Sequence, residues 1–290
     1  MARESKPIEK LIEEREQERA NKYWERIKRL KAQEEEQKKW REAHRQRNLE
    51  YMRSAGIDLK KVERDKQEDA RNLKSYLEQK RPPLISRPKK TLHFQPPTGW
   101  QAPRPTVFGL PPDPSEVHPT NPSQIKIKQV DTGSGWGWSP WPGSATANVA
   151  ATADVWFTFT PHQDARYTFQ AWFAFHGFLA VTAYDDWLTS CSAEVKLTVD
   201  LTAFQADEYP KKSFTVIDVY SQNINEIDNQ DGVEDFSDTQ DFREGQSVFV
   251  TAHIEVSAMA SGDGSYAELN FEDGEANYIQ PLGLWVYPSP

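Results

Sequence analysis

The chain has 290 residues, of which 37% are hydrophobic and 27% are charged, with a formal net charge of −9. This composition is polar for a single compact domain, and the length fits one large or two ordinary domains. The single cysteine, Cys191, excludes a disulfide framework within the chain, and no apolar run approaches the roughly 18 residues of a membrane span.

Charge is distributed unevenly along the chain. Residues 1–123 contain 28 Lys+Arg and 20 Asp+Glu, whereas residues 124–290 contain 7 Lys+Arg and 24 Asp+Glu. The two parts are therefore predicted to have different surfaces and different roles. The N-terminus shows no apolar signal-peptide region, which predicts cytoplasmic synthesis and leaves later release, or assembly into a larger particle, open.

The first segment, residues 5–53, is predicted to form one long charged helix. It has no glycine, its one proline (Pro7) suits a first helical turn, and Glu, Lys, Arg and Gln dominate it. Its apolar stripe is broken, so one interpretation is a solvated helix stabilised by side-chain ion pairs. The alternative is a helical arm that binds a partner protein or sister copies. Its candidate contact residues are Tyr23, Trp24, Ile27, Leu30 and Trp40.

A second helix is predicted over residues 59–80. Gly56 suits the C-terminal cap of the first helix, Asp58 can cap the second, and Leu59, Val62 and Leu73 have helical spacing. The two helices could fold back as a helical hairpin. Residues 82–123 follow with twelve prolines, which predict a semi-rigid extended linker. Its scattered apolar residues indicate that part of it lies along a surface.

From residue 124 onward the hydrophobic period becomes two. The alternation predicts strands at 124–130, 149–160, 165–175, 177–184, 191–204, 213–220, 246–260, 264–271 and 278–287. About nine strands joined by short turns are typical of an antiparallel β-sandwich, with a jelly-roll-like arrangement as one form.

Two segments in this part are candidate binding sites. Tryptophans in a Gly- and Pro-rich loop, Trp136, Trp138 and Trp141, could form a platform for a sugar ring or could close the end of the core. The stretch 226–241 is predicted to be an acidic loop. It could be merely solvated, could bind a basic partner, or could bind Ca²⁺, although its spacing does not match a calcium-binding loop. The weak candidate calcium ligands are Asp228, Asp231, Glu234, Asp235 and Asp238.

Catalytic signatures are weak. Asp185 and Asp186, with Glu194, offer carboxylates for glycoside chemistry, but adjacent aspartates more often form a turn. No histidine lies within four residues of another histidine or of Cys191, so no metal-ligand spacing appears, and no catalytic residue is proposed. The basic stretch 38–53 directly follows Glu34–Glu36, so nucleic acid is not an expected partner.

Together these patterns predict an α+β class with segregated domains: a charged helical arm at 1–81, a Pro-rich linker at 82–123 and an acidic antiparallel β-sandwich at 124–290. The predicted function is that of a non-enzymatic structural or binding protein, in which the arm mediates assembly and the sandwich provides the recognition surface. The alternatives are a carbohydrate-binding module, calcium-assisted or not, and a glycoside-type hydrolase. No cofactor other than calcium is implied.

Overall fold

The computed structural model describes residues 51–80, 100–101, 104–106, 124–132, 150–183, 192–205, 209–221, 225–261 and 265–289, with nine further positions between 14 and 50. The chain divides into two compact units, Met1–Leu59 and Lys60–Pro290. Within the described ranges, no helix combines the length and the apolar character needed to cross a bilayer.

The turn at Gly56 ends one helix and precedes another. Gly56 has a φ of 73°, its N–H donates to Arg53 O at 3.1 Å, and the N–H of Ile57 donates to Met52 O at 3.0 Å. These two bonds form a Schellman motif, which satisfies carbonyls at a helix C-terminus and favours glycine because φ is positive. The predicted cap at Gly56 is thus confirmed. Helix α1 then begins directly after Asp58 and spans Leu59–Lys80, as the spacing predicts.

Eleven strands are present in the described part of the chain. They are β1 (Trp100–Gln101), β2 (Arg104–Thr106), β3 (Lys128–Thr132), β4 (Ala150–Phe159), β5 (Ala165–Thr182), β6 (Ser192–Phe204), β7 (Lys212–Ser221), β8 (Asn225–Phe242), β9 (Val248–Ser261), β10 (Tyr266–Asn270) and β11 (Tyr278–Pro288). All pairings between them are antiparallel.

The strands form two sheets. Sheet A has the order β1-β11-β5-β10-β3, with β8 paired to the other side of β5, and sheet B has the order β2-β4-β9-β6-β7. Long β5 organises sheet A, because it pairs with β8 along its whole length and with β11 and β10 in succession on its opposite side.

One hydrophobic core fills the space between the sheets. Phe169 and Phe173 of β5, Phe157 of β4 and Ile254 of β9 are fully buried in the same cluster. Alternate residues of each strand enter this core, as expected when successive side chains point to opposite faces of a sheet. The intervening residues form the two outer faces of the sandwich.

Both sides of the sandwich carry contacts that connect the sheets. On one side, Lys212 of β7 donates to the carbonyl of Ser237 in β8 at 2.8 Å, and the Phe214 and Phe236 rings are 5.3 Å apart. Elsewhere, residues 100–101 form β1 at the edge of sheet A, and residues 104–106 form β2 at the edge of sheet B. Part of the Pro-rich segment therefore lies on the protein's own sheets, at edges, where a missing proline N–H is tolerated.

The predicted fold class is wrong. Strands make up 64% and helices 17% of the described region, which is mostly antiparallel sheet, and no long N-terminal helix is found there. Most of residues 5–53 lies outside the described residues, so the helical arm and a coiled coil gain no support. The i,i+4 ion pairs that motivated the long helix are worth only about 0.2–0.5 kcal/mol each, and helices in proteins depend mainly on packing of an apolar face. The predicted domain boundaries stay predictions.

The acidic stretch 226–241 is not a loop. It belongs to the edge strand β8, which pairs with β5 from Ala165↔Phe242 to Thr182↔Asn225 without a register shift. Tertiary pairing with a long apolar strand outweighs the low intrinsic strand preference of Asp, Asn and Gly. Acidic side chains also suit an exposed edge, because charge discourages pairing with another chain.

Candidate functional site

The outer face of sheet A carries a group of aromatic and polar side chains that are not in the core. In an antiparallel pair, directly opposite residues lie on the same face. Because Phe169 and Phe173 of β5 face the core, Gln170 and Trp172 face outward, together with their partners on β8 and β11. We call the following residues the platform: Thr168, Gln170, Trp172, Asp235, Trp285 and Tyr287.

Aromatic rings occupy successive rows of the platform. Trp285 lies opposite Gln170 and Tyr287 opposite Thr168, and the two rings are 4.8 Å apart between centroids at 49°. Both rings, and that of Trp172, are partly exposed. Each row is about 7 Å from the next, because a strand rises about 3.4 Å per residue. The rings therefore form a partly exposed aromatic strip along the strands rather than one isolated stack.

A glycine lies opposite Trp172 on β11. This residue is Gly283, which follows a register shift between Pro281 and Gly283 and has a φ of 154°. A glycine is favoured at this positive φ, and it adds no side chain to the row. The row of Trp172 therefore has no β11 side chain beside the indole.

Polar side chains are held in place beside the rings. Gln170 Nε2 donates to Asp235 Oδ2 on β8. Thr168 Oγ1 is 2.9 Å from Thr239 Oγ1 and 2.6 Å from Ser289 Oγ. Asp235 is exposed, and a carboxylate has about four acceptor positions, so one bond from Gln170 leaves acceptor capacity for a ligand.

The other end of the same face is closed by a buried cluster. His176 Nδ1 is 2.7 Å from Asp231 Oδ1, and the His176 and Tyr278 rings are 4.9 Å apart. Burial, with the nearby charge of Asp231, raises the pKa of Tyr278 above its ordinary value. Lys126 Nζ lies 5.7 Å from the centre of the Tyr278 ring, and burial lowers the lysine pKa although Glu272 opposes this. With His176 and Tyr278 only 5% and 6% exposed, this cluster bounds the accessible surface.

A buried carboxylate further along sheet A has several hydrogen-bond partners. Glu268 is 1% exposed and accepts bonds from Tyr266 Oη at 2.6 Å and Asn270 Nδ2 at 2.7 Å. Asn270 Oδ1 in turn accepts the backbone N–H groups of Glu272 and Asp273. These bonds offset the cost of burying the carboxylate, so the cluster is readily explained as structural.

The outer face of sheet B has several paired charges and an exposed ring, that of Tyr220. His253 Nδ1 is 2.9 Å from the buried Asp154, and Lys211 Nζ is 2.6 Å from Asp200. Burial of Asp200 acts to raise its pKa, but hydrogen bonds from Lys211 and Ser213 outweigh burial and hold the pKa below its ordinary value. These carboxylates are thus engaged by neighbouring side chains.

The predicted site residues fall into three groups. The loop tryptophans Trp136, Trp138 and Trp141 lie outside the described residues and stay a prediction. The proposed partner contacts also lie outside the described residues and stay a prediction: Tyr23, Trp24, Ile27, Leu30 and Trp40. All five candidate calcium ligands are on β8, where alternation separates them between two faces.

The separation on β8 follows from its register. Asp228, Glu234 and Asp238 lie opposite core-facing residues of β5, whereas Asp231 and Asp235 lie on the outer face. Within the described ranges no three His, Cys, Asp or Glu side chains come together in a metal-binding group. Asp185 and Asp186 lie outside the described residues, and Glu194 lies on the outer face of sheet B opposite Tyr220.

Sequence reasoning missed Trp172, Trp285 and Tyr287 as candidate ligand contacts. The signal was present in part: Gln170 and Trp172 alternate with Phe169, Ala171 and Phe173, which predicts that they share the face opposite the core. The pairing partners Asp235 and Trp285 are distant in sequence, so their position beside these residues appears only in the fold.

Comparisons with known proteins identify no family. No protein-family model and no curated protein sequence matches the chain. Among solved structures, TmCBM61 in complex with beta-1,4-galactotriose is 10% identical with a TM-score of 0.23, covering 49% of this chain and 67% of that one. A beta-glucosidase from Kluyveromyces marxianus in complex with glucose is 13% identical with a TM-score of 0.19, covering 65% of this chain and 15% of that one. Likenesses this weak carry no argument about function.

Proposed function

We propose that this protein is a non-enzymatic carbohydrate-binding protein that holds a glycan on the platform of sheet A. The observation that carries the proposal is the aromatic strip of Trp172, Trp285 and Tyr287 beside the exposed carboxylate of Asp235. No calcium ion is required by this proposal, because every contact is made by a side chain.

The aromatic strip suits the apolar face of a sugar ring. A pyranose has C–H groups on its faces and hydroxyls around its rim, and an aromatic face is a broad apolar surface with negative character that accepts weak C–H contacts. The Trp285 and Tyr287 rings lie side by side with their centres 4.8 Å apart and their planes at 49°, so two neighbouring rings are available to one ligand. Trp172, opposite Gly283, adds a ring in a third row.

The polar side chains suit the rim of the same sugar. Asp235 can accept two hydroxyls, and Gln170 has an acceptor oxygen and a second N–H in addition to the one given to Asp235. Bonds to a carboxylate are charge-assisted and therefore stronger than neutral ones. Because Gln170 already fixes Asp235, little side-chain entropy is lost when a ligand binds.

The carboxylate arrangement favours binding over hydrolysis. Glycoside hydrolysis needs two carboxyl groups flanking one bond, about 5–9.5 Å apart. In the described part of the platform Asp235 is the single carboxylate. The other two acidic residues that β8 places on that face are engaged: Asp231 lies 2.7 Å from His176, and Asp241 lies 3.3 Å from Arg166. The platform thus offers one acceptor beside an aromatic surface, which suits recognition without bond cleavage.

A glycan array followed by isothermal titration with the best ligand tests the proposal. Trp285→Ala and Tyr287→Ala are each expected to weaken binding about 30-fold, since a central aromatic contact is worth about 2 kcal/mol. The matched control is Tyr220→Ala on the outer face of sheet B, where the ring is 54% exposed, and it should leave binding unchanged. An array without signal, or equal losses for Tyr220 and Trp285 variants, would contradict the proposal.

A further inference from the structure

We infer that the platform selects neutral glycans and rejects those that carry carboxylate or sulfate groups. This inference rests on the proposed function and adds the chemical class of the ligand. It follows from the charges that border the aromatic strip, which come from β8 and are mainly negative.

The charges that β5 and β8 place on the outer face are unequal in number. β8 contributes Asp231, Asp235 and Asp241 to this face. The basic residue that β5 places there, Arg166, is 3.3 Å from Asp241. Asp231 is engaged by His176, whereas the partner of Asp235 is the neutral amide of Gln170. The border of the platform therefore has a negative balance in the described part of this face.

Asp235 distinguishes hydroxyls from anionic groups. It lies in the row of Trp172, so a sugar stacked on that ring presents its rim to the carboxylate. A hydroxyl can donate to this acceptor, but a carboxylate or sulfate on the sugar has no proton to donate at neutral pH. Two like charges would then face each other, and an unfavourable contact of this kind is an effective source of specificity.

The net negative charge of the surrounding domain also disfavours anionic glycans. Residues 124–290 contain 24 acidic and 7 basic residues, so an anionic polymer meets repulsion before it makes any contact. Such long-range repulsion is screened by salt, with a Debye length near 10 Å at about 0.1 M. The repulsion between Asp235 and an anionic group of a bound sugar acts over a shorter distance than this long-range repulsion, so salt should screen it less.

The direct test compares two ligands that differ at one carbon. The neutral oligosaccharide that binds best to the intact chain is titrated alongside the same oligosaccharide oxidised at C6 to the uronic acid. At about 0.1 M salt the oxidised form is expected to bind at least about tenfold more weakly, and the difference should narrow at about 0.5 M salt. No variant is needed, so this test does not depend on the folding of a mutant.

An isosteric variant then assigns the selectivity to one residue. Asp235→Asn removes the charge and retains one acceptor oxygen. It should therefore lower the affinity for the neutral ligand severalfold and reduce the difference in affinity between the neutral and the oxidised ligand. Asp218→Asn on sheet B, where Asp218 pairs with Lys196 at 3.2 Å, is the matched control and should change neither affinity. Circular dichroism melting of both variants shows whether each retains the fold.

The outcomes separate the two proposals. If the oxidised ligand binds as tightly as the neutral one, the inference is wrong while the carbohydrate-binding function stands. If neither binds and the array is silent, the proposed function fails and the inference fails with it. If the neutral ligand is preferred and Asp235→Asn narrows the preference while Asp218→Asn does not, both hold.

Discussion

The two outer faces of the sandwich differ although the inner faces are built alike. Both sheets send alternate apolar residues into one core, as Phe173 does from β5 and Leu197 from β6. On the outer face of sheet B, two aspartates are paired with lysines, in Lys196–Asp218 and Lys211–Asp200. On sheet A, the platform presents aromatic rings and a carboxylate to solvent. Core packing therefore constrains both sheets similarly, and the proposal that sheet A binds a glycan rests on the difference between the outer faces.

The difference also shows how a sheet can carry two independent functions. A residue and its immediate neighbour on one strand point to opposite faces, so changes to one can leave the other in place. Phe173 and Trp172 are such neighbours on β5: one is fully buried and the other lies on the platform. Substituting each in turn should separate stability from binding.

The largest expected effect is the loss of stability in Phe173→Ala. Removing a fully buried phenylalanine costs about 3–5 kcal/mol of unfolding free energy, because transfer energy is lost and a cavity remains. Trp172→Ala should cost less than about 2 kcal/mol, because the ring is partly exposed, but should abolish most glycan binding. Urea unfolding and titration calorimetry of both variants measure the two effects. Equal stability losses would show that the outer face is not independent of the core.

A second comparison within sheet A uses two glycines on paired strands. A Cβ at Gly177 of β5 would lie 2.4 Å from Asn270 O and 2.5 Å from the Phe271 ring, whereas a Cβ at Gly232 of β8 meets nothing within 4 Å. Gly177→Ala is therefore expected to destabilise by about 1–3 kcal/mol through overpacking. Gly232→Ala should be neutral or stabilise by up to about 1 kcal/mol, since alanine fits a strand interior better than glycine.

Thermal unfolding of the two alanine variants tests this contrast. Both substitutions add one methyl group, so they are matched in chemistry and differ in surroundings. Similar melting temperatures for both would mean that the close packing of β10 residues on Gly177 is not an important contribution. A large loss at Gly232 would instead show that the edge strand β8 is more tightly constrained than its exposure indicates.

The same glycine explains one limit of sequence prediction. Alternation correctly located most strands of both sheets, because the core demands apolar residues at every second position. It divided β5 into 165–175 and 177–184, with the division directly before Gly177, whereas the structure has one strand there. In the structure the glycine continues the strand and leaves room for Asn270 and Phe271, which are distant in sequence. Close approach of this kind has no local signature.

The acidic strand and the platform mark a second limit. β8 was predicted to be a loop, because Asp, Asn and Gly have low strand preference, and its pairing with β5 is a tertiary effect. Trp172 could be assigned by alternation to the side away from the core. Its grouping with Asp235 and Trp285 depends on which strands are neighbours, and their partial exposure depends on what covers the sheet. Local periodicity in the sequence shows neither which strands are neighbours nor what covers the sheet.

The smallest expected effect concerns the charges of sheet B and depends on pH. The folded pKa of Asp200 lies below its ordinary value of 3.8, where hydrogen bonds from Lys211 and Ser213 outweigh burial. A lowered acid pKa means that the folded state favours the ionised form, so Asp200 contributes stability above pH 3.8 that is lost as pH falls through the folded pKa. Asp200→Asn should cost about 0.5–1 kcal/mol at neutral pH, a modest value because Lys211 is 62% exposed.

Urea unfolding of wild type and Asp200→Asn, from neutral pH to below pH 3.8, measures this contribution. The difference in unfolding free energy should be constant above pH 3.8 and should shrink below it, while other titrating groups largely cancel in the subtraction. Asp218→Asn is the control, because the Asp218 side chain is 49% exposed, against 17% for Asp200, and ion pairs of exposed carboxylates contribute little. If the Asp200 difference stays constant into acid, the carboxylate does not stabilise sheet B through its charge. Neither variant should alter glycan binding, because both residues lie on sheet B and the proposed binding surface is on sheet A.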